Sequence, residues 1–267
     1  MESDTDSISL QPGYVSSLSN AVKQLKTYWS GSLVVGLTVW MINLILSLPN
    51  YALFDNPGLS FTYSFIISIV SGVLFFGFMF AALRVARGEK PSVYDLIQPF
   101  KQFFTVIFSY VLSGIIVSLG VLLFIIPGIF FTCRLAFFPY LVMDQKTGVF
   151  GAIGGSWNMT KGHFWRIFLL GLTVYVIFFG IGIINLFILF LVSGSTGIME
   201  FIYSLSSMRI TPFSPSYWIP QLLLSLVCIP VYLYLLVAWG SLYHAIKLEK
   251  TGALQANTEN PASLHSV

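Results

Sequence analysis

The sequence predicts an all-α, polytopic membrane protein with six transmembrane helices, and three observations carry that reading. Only 9% of the 267 residues are charged, while 56% are hydrophobic. A soluble domain carries roughly 25% charged residues, so a water-facing surface cannot be built here and lipid must be the solvent for most of the chain. Long windows also lack formal charge. Thr27–Leu83 contains only Asp55, and Gln102–Cys133, Ile167–Met199 and Ile210–Ile246 contain none. About 20 apolar residues cross a bilayer. Finally, the basic residues gather in alternate connections, as they do in a chain that crosses a membrane repeatedly.

Taken in order, the predicted spans are Ser32–Leu48, Phe61–Val85, Phe103–Ile126, Ile129–Val142, Phe164–Val192 and Pro220–Ile246. The first two are split by a polar loop, Pro49–Pro57, with Asn50, Asp55 and Asn56. Lys23 and Lys26 precede the first span, and Arg84, Arg87, Lys90 and Lys101 follow the second. Lys146, Lys161 and Arg166 follow the fourth, and Lys247 and Lys250 follow the sixth; the opposite connections hold only Arg209. Positive charge marks the cytoplasmic side, which puts both termini there. Residues 1–13 and 252–267 read as polar, disordered tails around a single domain, 14–251. The N-terminus has neither a basic region nor an apolar run suited to a cleavable signal.

Each cytoplasmic segment ahead of a helix pair has apolar residues at helical spacing. They are Val15, Leu18, Val22, Leu25 and Trp29; then Val93, Leu96, Ile97, Phe100, Phe103 and Phe104; then Phe150, Ile153 and Trp157. Such segments suit short helices lying in the membrane interface. The second opens on a helix-start signature, Ser92 to Asp95, and Pro99 should bend or end it. The chain therefore divides into three units, about 14–91, 92–148 and 149–251, each an interfacial amphipathic helix followed by two spans. The ends of the units echo one another at 87–91, 144–148 and 248–252. A further surface helix is expected in the outer loop Ser193–Ser216, where Ile198, Phe201, Ile202, Leu205 and Met208 are helically spaced.

The fourth span is the irregular one. Pro127 and Gly128 form the structural hinge between the third and fourth helices, in a turn without a polar side chain. From Gly128 to Asp144 a helix rises about 24 Å, short of a hydrocarbon core of roughly 30 Å. Arg134 falls near mid-membrane on this count. A charge at that depth costs at least about 2.5–3.5 kcal/mol and must face the bundle. Its partners would be carbonyls freed near Pro127, Asn43, Asn185 or tyrosine hydroxyls. Two readings stand: an anionic ligand or lipid headgroup site built on Arg134, Asn43 and Asn185, or a polar clamp on the helix break.

Ser60, Ser64, Ser68 and Gly72 recur every four residues, a stripe that lets helices approach closely. Packing within one chain is the plainer reading, and a homodimer seam the sharper one. His163 and His244 sit at cytoplasmic helix ends, and no cluster has metal-ligand spacing. Cys133 and Cys228 lie in apolar stretches and behave as small apolar residues. The sequon at Asn158 falls on the cytoplasmic side. There is no basic run suited to nucleic acid. Enzymes need paired titratable groups or an activated nucleophile, and the apolar spans supply neither, so no enzyme, metal or cofactor is expected.

The stretch Ile126-Pro127-Gly128-Ile129, Arg134, Phe138–Val142, Asp144, Gly148, Ala152-Ile153, Ser156-Trp157 and Thr160–Gly162 resembles the YciC-like prokaryotic inner-membrane proteins. It is also similar to the membrane domain attached to some glycerophosphodiester phosphodiesterases. The resemblance implies about six helices in a prokaryotic cytoplasmic membrane and brings no activity with it. The function expected is a non-enzymatic scaffold, accessory or assembly subunit, in contact with membrane lipid and with a second copy or another membrane protein. The alternative is a lipid- or small-anion-binding or transport protein with Arg134 at its site.

Overall fold

The computed structural model describes residues 11–49, 56–207 and 215–259. Those residues form helices and turns with no strand. Six helical stretches are long and apolar enough to cross a membrane: Trp29–Ser47, Gly58–Ala86, Val93–Leu123, Ile125–Asp144, Phe164–Ile188 and Gln221–Gly252. The expected all-helical, six-span architecture is therefore what the chain adopts. The loop residues 50–55, together with Met208 and Arg209, lie outside the described residues.

The first helix, α1 (Tyr14–Thr27), packs through its smallest face. Ser17, Ala21 and Leu25 are buried, whereas Val15 and Val22 are exposed. Val15 and Val22 thus point away from the bundle, while Tyr14 and Leu18 pack against its core. Asn20 secures the docking, its amide donating to the Ala86 carbonyl and the Ser241 hydroxyl at 3.0 and 2.9 Å. A single residue, Tyr28, separates α1 from the first span, α2 (Trp29–Ser47).

The second span, α3 (Pro57–Ala86), starts with Pro57 in its first turn and Asn56 as N-cap, whose side chain accepts from the Leu59 amide. Both are favoured residues at a helix start. It ends at Gly88, whose φ of 78° is the left-handed conformation glycine adopts at least cost. Its buried residues run from Val73 to Ala86, while Phe61, Phe65 and Ile66 are exposed.

The segment after α3 departs from expectation. Val93–Leu96 and Gln98–Gln102 form two short 3-10 turns rather than an amphipathic α-helix, because Pro99 lacks the amide an α-helix would need. The start signature is present: Ser92 and Asp95 form a capping box. This segment lies directly on α3, where a Cβ on Gly77 would stand 2.6 Å from Leu96 Cα.

The third span, α4 (Phe103–Leu123), ends at Phe124, which is extended, and α5 (Ile125–Arg134) begins at the next residue. The hinge assigned to Pro127 and Gly128 is thereby corrected. Phe124 makes the turn, and Pro127 and Gly128 lie in the first turn of α5. Gly128 is instead a contact point, since a Cβ there would lie 2.4 Å from Val121 Cγ2 and 3.0 Å from its Cα. The real discontinuity in the fourth span comes later. After Arg134 the helix stops, residues 135–137 form a turn, and α6 (Phe138–Asp144) resumes with Pro139 in its first turn.

Helix α7 (Val149–Met159) precedes the last two helices, α8 (Phe164–Ser207) and α9 (Pro215–Glu259). The separate outer helix expected within Ser193–Ser216 does not form, because α8 runs unbroken to Ser207. Helix α9 likewise continues into the predicted C-terminal tail as far as Glu259.

The core is concentrated at one end, between α3, α6 and α9. Leu83, Phe137, Tyr140, Val142, Val237, Leu242, Tyr243 and Ile246 are almost wholly buried. Towards the other end large apolar residues face outward, including Leu122, Phe124, Ile126, Phe187 and Val227. Such a surface would aggregate in water and is the surface a bilayer covers.

Candidate lipid- and anion-binding site

The compact end of the bundle is also the charged end. Asp144, at the last turn of α6, has a side chain only 8% exposed, and its Oδ1 lies 2.7 Å from Arg87 Nη2. Its Oδ2 accepts from Lys247 Nζ at 2.7 Å and from the Tyr243 hydroxyl at 2.9 Å. A buried carboxylate needs partners, and here it receives them from α3 and α9 together. Nearby, Arg84 bridges Asp95 and Glu89 at 2.9 and 3.0 Å, and the Ser92 amide donates to Asp95 at 2.9 Å. The sequence carries no signal for this network. Its partners are distant in the chain, and no local pattern pairs them.

A second relay joins the start of α8 to the end of α9. Arg166 Nη1 lies 3.0 Å from His163 Nδ1. A guanidinium only donates, so Nδ1 accepts and the ring proton sits on Nε2. Nε2 faces Glu249 Oε2 at 3.4 Å. Burial, reinforced by the charges of Arg166 and Lys250, holds the His163 pKa below its ordinary value, with Glu249 acting in the opposite direction.

Arg134 ends α5 beside α7. Its Cζ lies 4.9 Å from the Phe130 ring centroid and 5.5 Å from that of Trp157, within the range of cation–π attraction. Its backbone carbonyl accepts from the Ser156 hydroxyl at 2.8 Å, and the same hydroxyl accepts from the Phe137 amide at 3.2 Å. Ser156 is thus the clamp that satisfies the broken backbone at Leu135–Phe137. The Arg134 side chain is left out of that arrangement: Nε and Nη1 are buried and have no hydrogen-bond partner. The count that placed Arg134 at mid-membrane assumed an unbroken helix to Asp144. With the break in place, its neighbours are those of the charged end. Lys250, which donates to the Asn158 carbonyl next to Trp157, is within electrostatic reach of both Arg134 and Lys161.

The other expected ligands do not join it. Asn43 donates to the Val39 carbonyl at 2.9 Å and accepts from Ser71 at 2.8 Å. Asn185 exchanges two hydrogen bonds with Gln221, at 2.9 and 3.0 Å. Both amides bridge spans elsewhere in the bundle. In the small-residue stripe, Ser64 and Ser68 are exposed and nothing stands within 4 Å of a Cβ on Gly72.

A half-open cavity of about 490 Å³ lies between α3, α5, α8 and α9. Its wall is apolar, with Met79, Cys133, Ala136, Ile167, Leu235 and Trp239 among the lining residues. A second cavity of about 440 Å³ lies between α2, α3 and α9 and includes Asn43 and Cys228. Phe75 and Tyr232 line both. The first cavity has the size and character of a small-molecule pocket, for which ~300–1,000 Å³ and a mostly apolar lining are usual. Among the described residues no group of three His, Cys, Asp or Glu side chains could hold a metal ion.

Comparison with known proteins finds a relative of the same kind. A UPF0259 membrane protein of Pectobacterium carotovorum is 28% identical over 98 residues, which cover 36% of this chain and 39% of the relative. The match spans well under half of that protein's length and supports a membrane protein; it does not single out the YciC-like or phosphodiesterase-associated families. No family model matches the chain, and no solved structure does.

Proposed function

We propose that this chain is a non-enzymatic integral protein of the cytoplasmic membrane that binds a membrane lipid, with both termini on the cytoplasmic side. The observation that carries the reading is the half-open apolar cavity between α3, α5, α8 and α9. It lies in the spanning part of the bundle, where the available occupant is an acyl chain. Gathering of Arg84, Arg87 and Lys247 with their carboxylate partners at one end supports the orientation. The test uses a phospholipid with a photoactivatable acyl chain, incorporated with the purified protein in nanodiscs. Cross-links should concentrate on Met79, Leu235 and Leu236, and Gly171→Leu, which fills the cavity towards Trp239, should abolish them. Labelling spread evenly over the outward-facing apolar residues would sink this reading.

The accessory or scaffold role, which the sequence puts first, is the second reading here, favoured by the outward face of α3 at Ser68 and Gly72. Small residues allow helices of two chains to approach closely in lipid. A stable second copy or partner should then survive mild-detergent purification and be lost in Gly72→Leu. A strictly monomeric, partnerless wild type counts against it.

A further inference from the structure

We propose that Arg134, Lys161 and Lys250 form a binding site for a phosphate-type oxyanion, at the charged end of the wall that borders the apolar cavity. Arg84, Arg87 and Lys247 each contact a carboxylate. Among the described residues Arg134, Lys161 and Lys250 contact none. Lys161 is exposed and solvated, but Arg134 is not so easily explained. Two of its nitrogens are buried without an acceptor, which native structures rarely leave unanswered. The rings of Phe130 and Trp157 attract the cation without offering an acceptor for its N–H bonds. The backbone that carries it is fixed by Ser156 on both sides of the break. The result is a held guanidinium with unpartnered donors and Lys250 within electrostatic reach of it, and Lys250 in turn is within reach of Lys161 and of the Glu249 carboxylate.

That donor set selects the ligand class. A guanidinium presents parallel N–H bonds to two oxygens of a phosphate, and lysines add point charge. The position selects the carrier, and this step rests on the lipid-binding reading above. Cys133 and Ala136, on either side of Arg134 in the chain, line the cavity. An acyl chain gains little hydrophobic free energy by leaving a bilayer for an apolar groove, because lipid is as apolar as the groove. Retention and selection of a lipid must therefore come from its polar end, and Arg134, which does not itself line the cavity, lies in the chain between two residues that do.

The experiment is native mass spectrometry of the full-length protein, delipidated and then offered phosphatidylglycerol or diacylglycerol with matched chains, alongside thermal melts with and without inorganic phosphate. Wild type should retain phosphatidylglycerol over diacylglycerol by about tenfold or more, the scale of one or two charge-assisted hydrogen bonds. Arg134→Gln should bring that ratio close to one. Lys161→Gln, at an exposed position where folding is not at stake, should lower it in the same direction. Phosphate alone raising the melting temperature of wild type but not of Arg134→Gln supports the site with a free oxyanion as its ligand. An unchanged lipid ratio in both variants together with no phosphate effect overturns the proposal. Gly171→Leu separates the two readings. If it removes both lipids while Arg134→Gln leaves the ratio intact, the cavity reading stands and the oxyanion site falls. If it leaves both lipids bound while Arg134→Gln abolishes selectivity, the reverse holds.

Discussion

Arg87 Nη2 and Asp144 Oδ1 stand 2.7 Å apart, and this contact ties the end of α3 to the end of α6. Lys247 from α9 takes the other carboxylate oxygen, so one anion holds three elements at the most compact part of the bundle. Removing one partner from a buried pair leaves an uncompensated charge, which is worse than never having had the pair. Asp144→Asn keeps the shape and removes the charge, leaving Arg87 and Lys247 facing one another's field. It should destabilise the protein by about 3 kcal/mol, seen as a lower thermal unfolding midpoint in detergent. A variant that melts with the wild type would mean that water already screens this network.

Gly128 permits α4 and α5 to meet immediately after the Phe124 turn. An alanine methyl would overlap Val121 Cγ2 at 2.4 Å and crowd its Cα at 3.0 Å. The first clash can be relieved by a rotamer change, but the second is with backbone and cannot. Gly128→Ala should therefore cost about 1–3 kcal/mol in thermal or denaturant unfolding. Adding Val121→Ala should recover only part of it. Full recovery would locate the whole effect in the valine side chain.

How far the sequence alone specifies the structure differs from element to element. The spans were legible because each is a long uncharged run, and lipid imposes that composition whatever the packing. Ser92 and Asp95 were legible because a capping box is local. Pro127-Gly128 was half legible: the dipeptide marked the place, but which residue turns and which packs depends on Val121 across the hairpin. The break at Leu135–Phe137 was not legible, since it is held by Ser156 from α7, some twenty residues further on. Arg134 stood out as an isolated charge, yet its depth was counted along a helix that does not continue. The pairing of Asp144 with Arg87 and Lys247 has no signal in one sequence, because any of several basic residues in the connections could fill either role.

His163 gives the protein a directional response to pH. Its folded-state pKa is lowered by burial, with Arg166 and Lys250 adding to the effect. In the unfolded chain it titrates near 6.5. Between the two values the unfolded state binds more protons, so stability rises with pH across that window. The contribution is fully present above about 6.5 and is lost as pH falls towards the lowered folded value. Melting temperatures should therefore drop between neutral and mildly acidic buffer, and His163→Gln should flatten that part of the profile. An equal drop in the variant would assign the acid sensitivity to the carboxylates instead.

The orientation can be tested with residues from opposite ends of the bundle. Lys161 follows α7 at the charged end, and Phe124 is the highly exposed turn residue between α4 and α5 at the other. With Cys133 and Cys228 replaced by alanine, a single cysteine is placed at either position. The even number of spans requires both termini on one side, and the proposed orientation makes that side the cytoplasm. An impermeant maleimide applied to intact spheroplasts should then spare Lys161→Cys until the membrane is opened. Phe124→Cys should react from outside, at a rate that reports how far the turn lies below the interface, since a thiol within hydrocarbon reacts slowly as little thiolate forms there. Labelling of Lys161→Cys in intact cells would invert the topology. It would also place the Arg134 corner against the outer leaflet, which changes the lipid pool it meets without changing its chemistry.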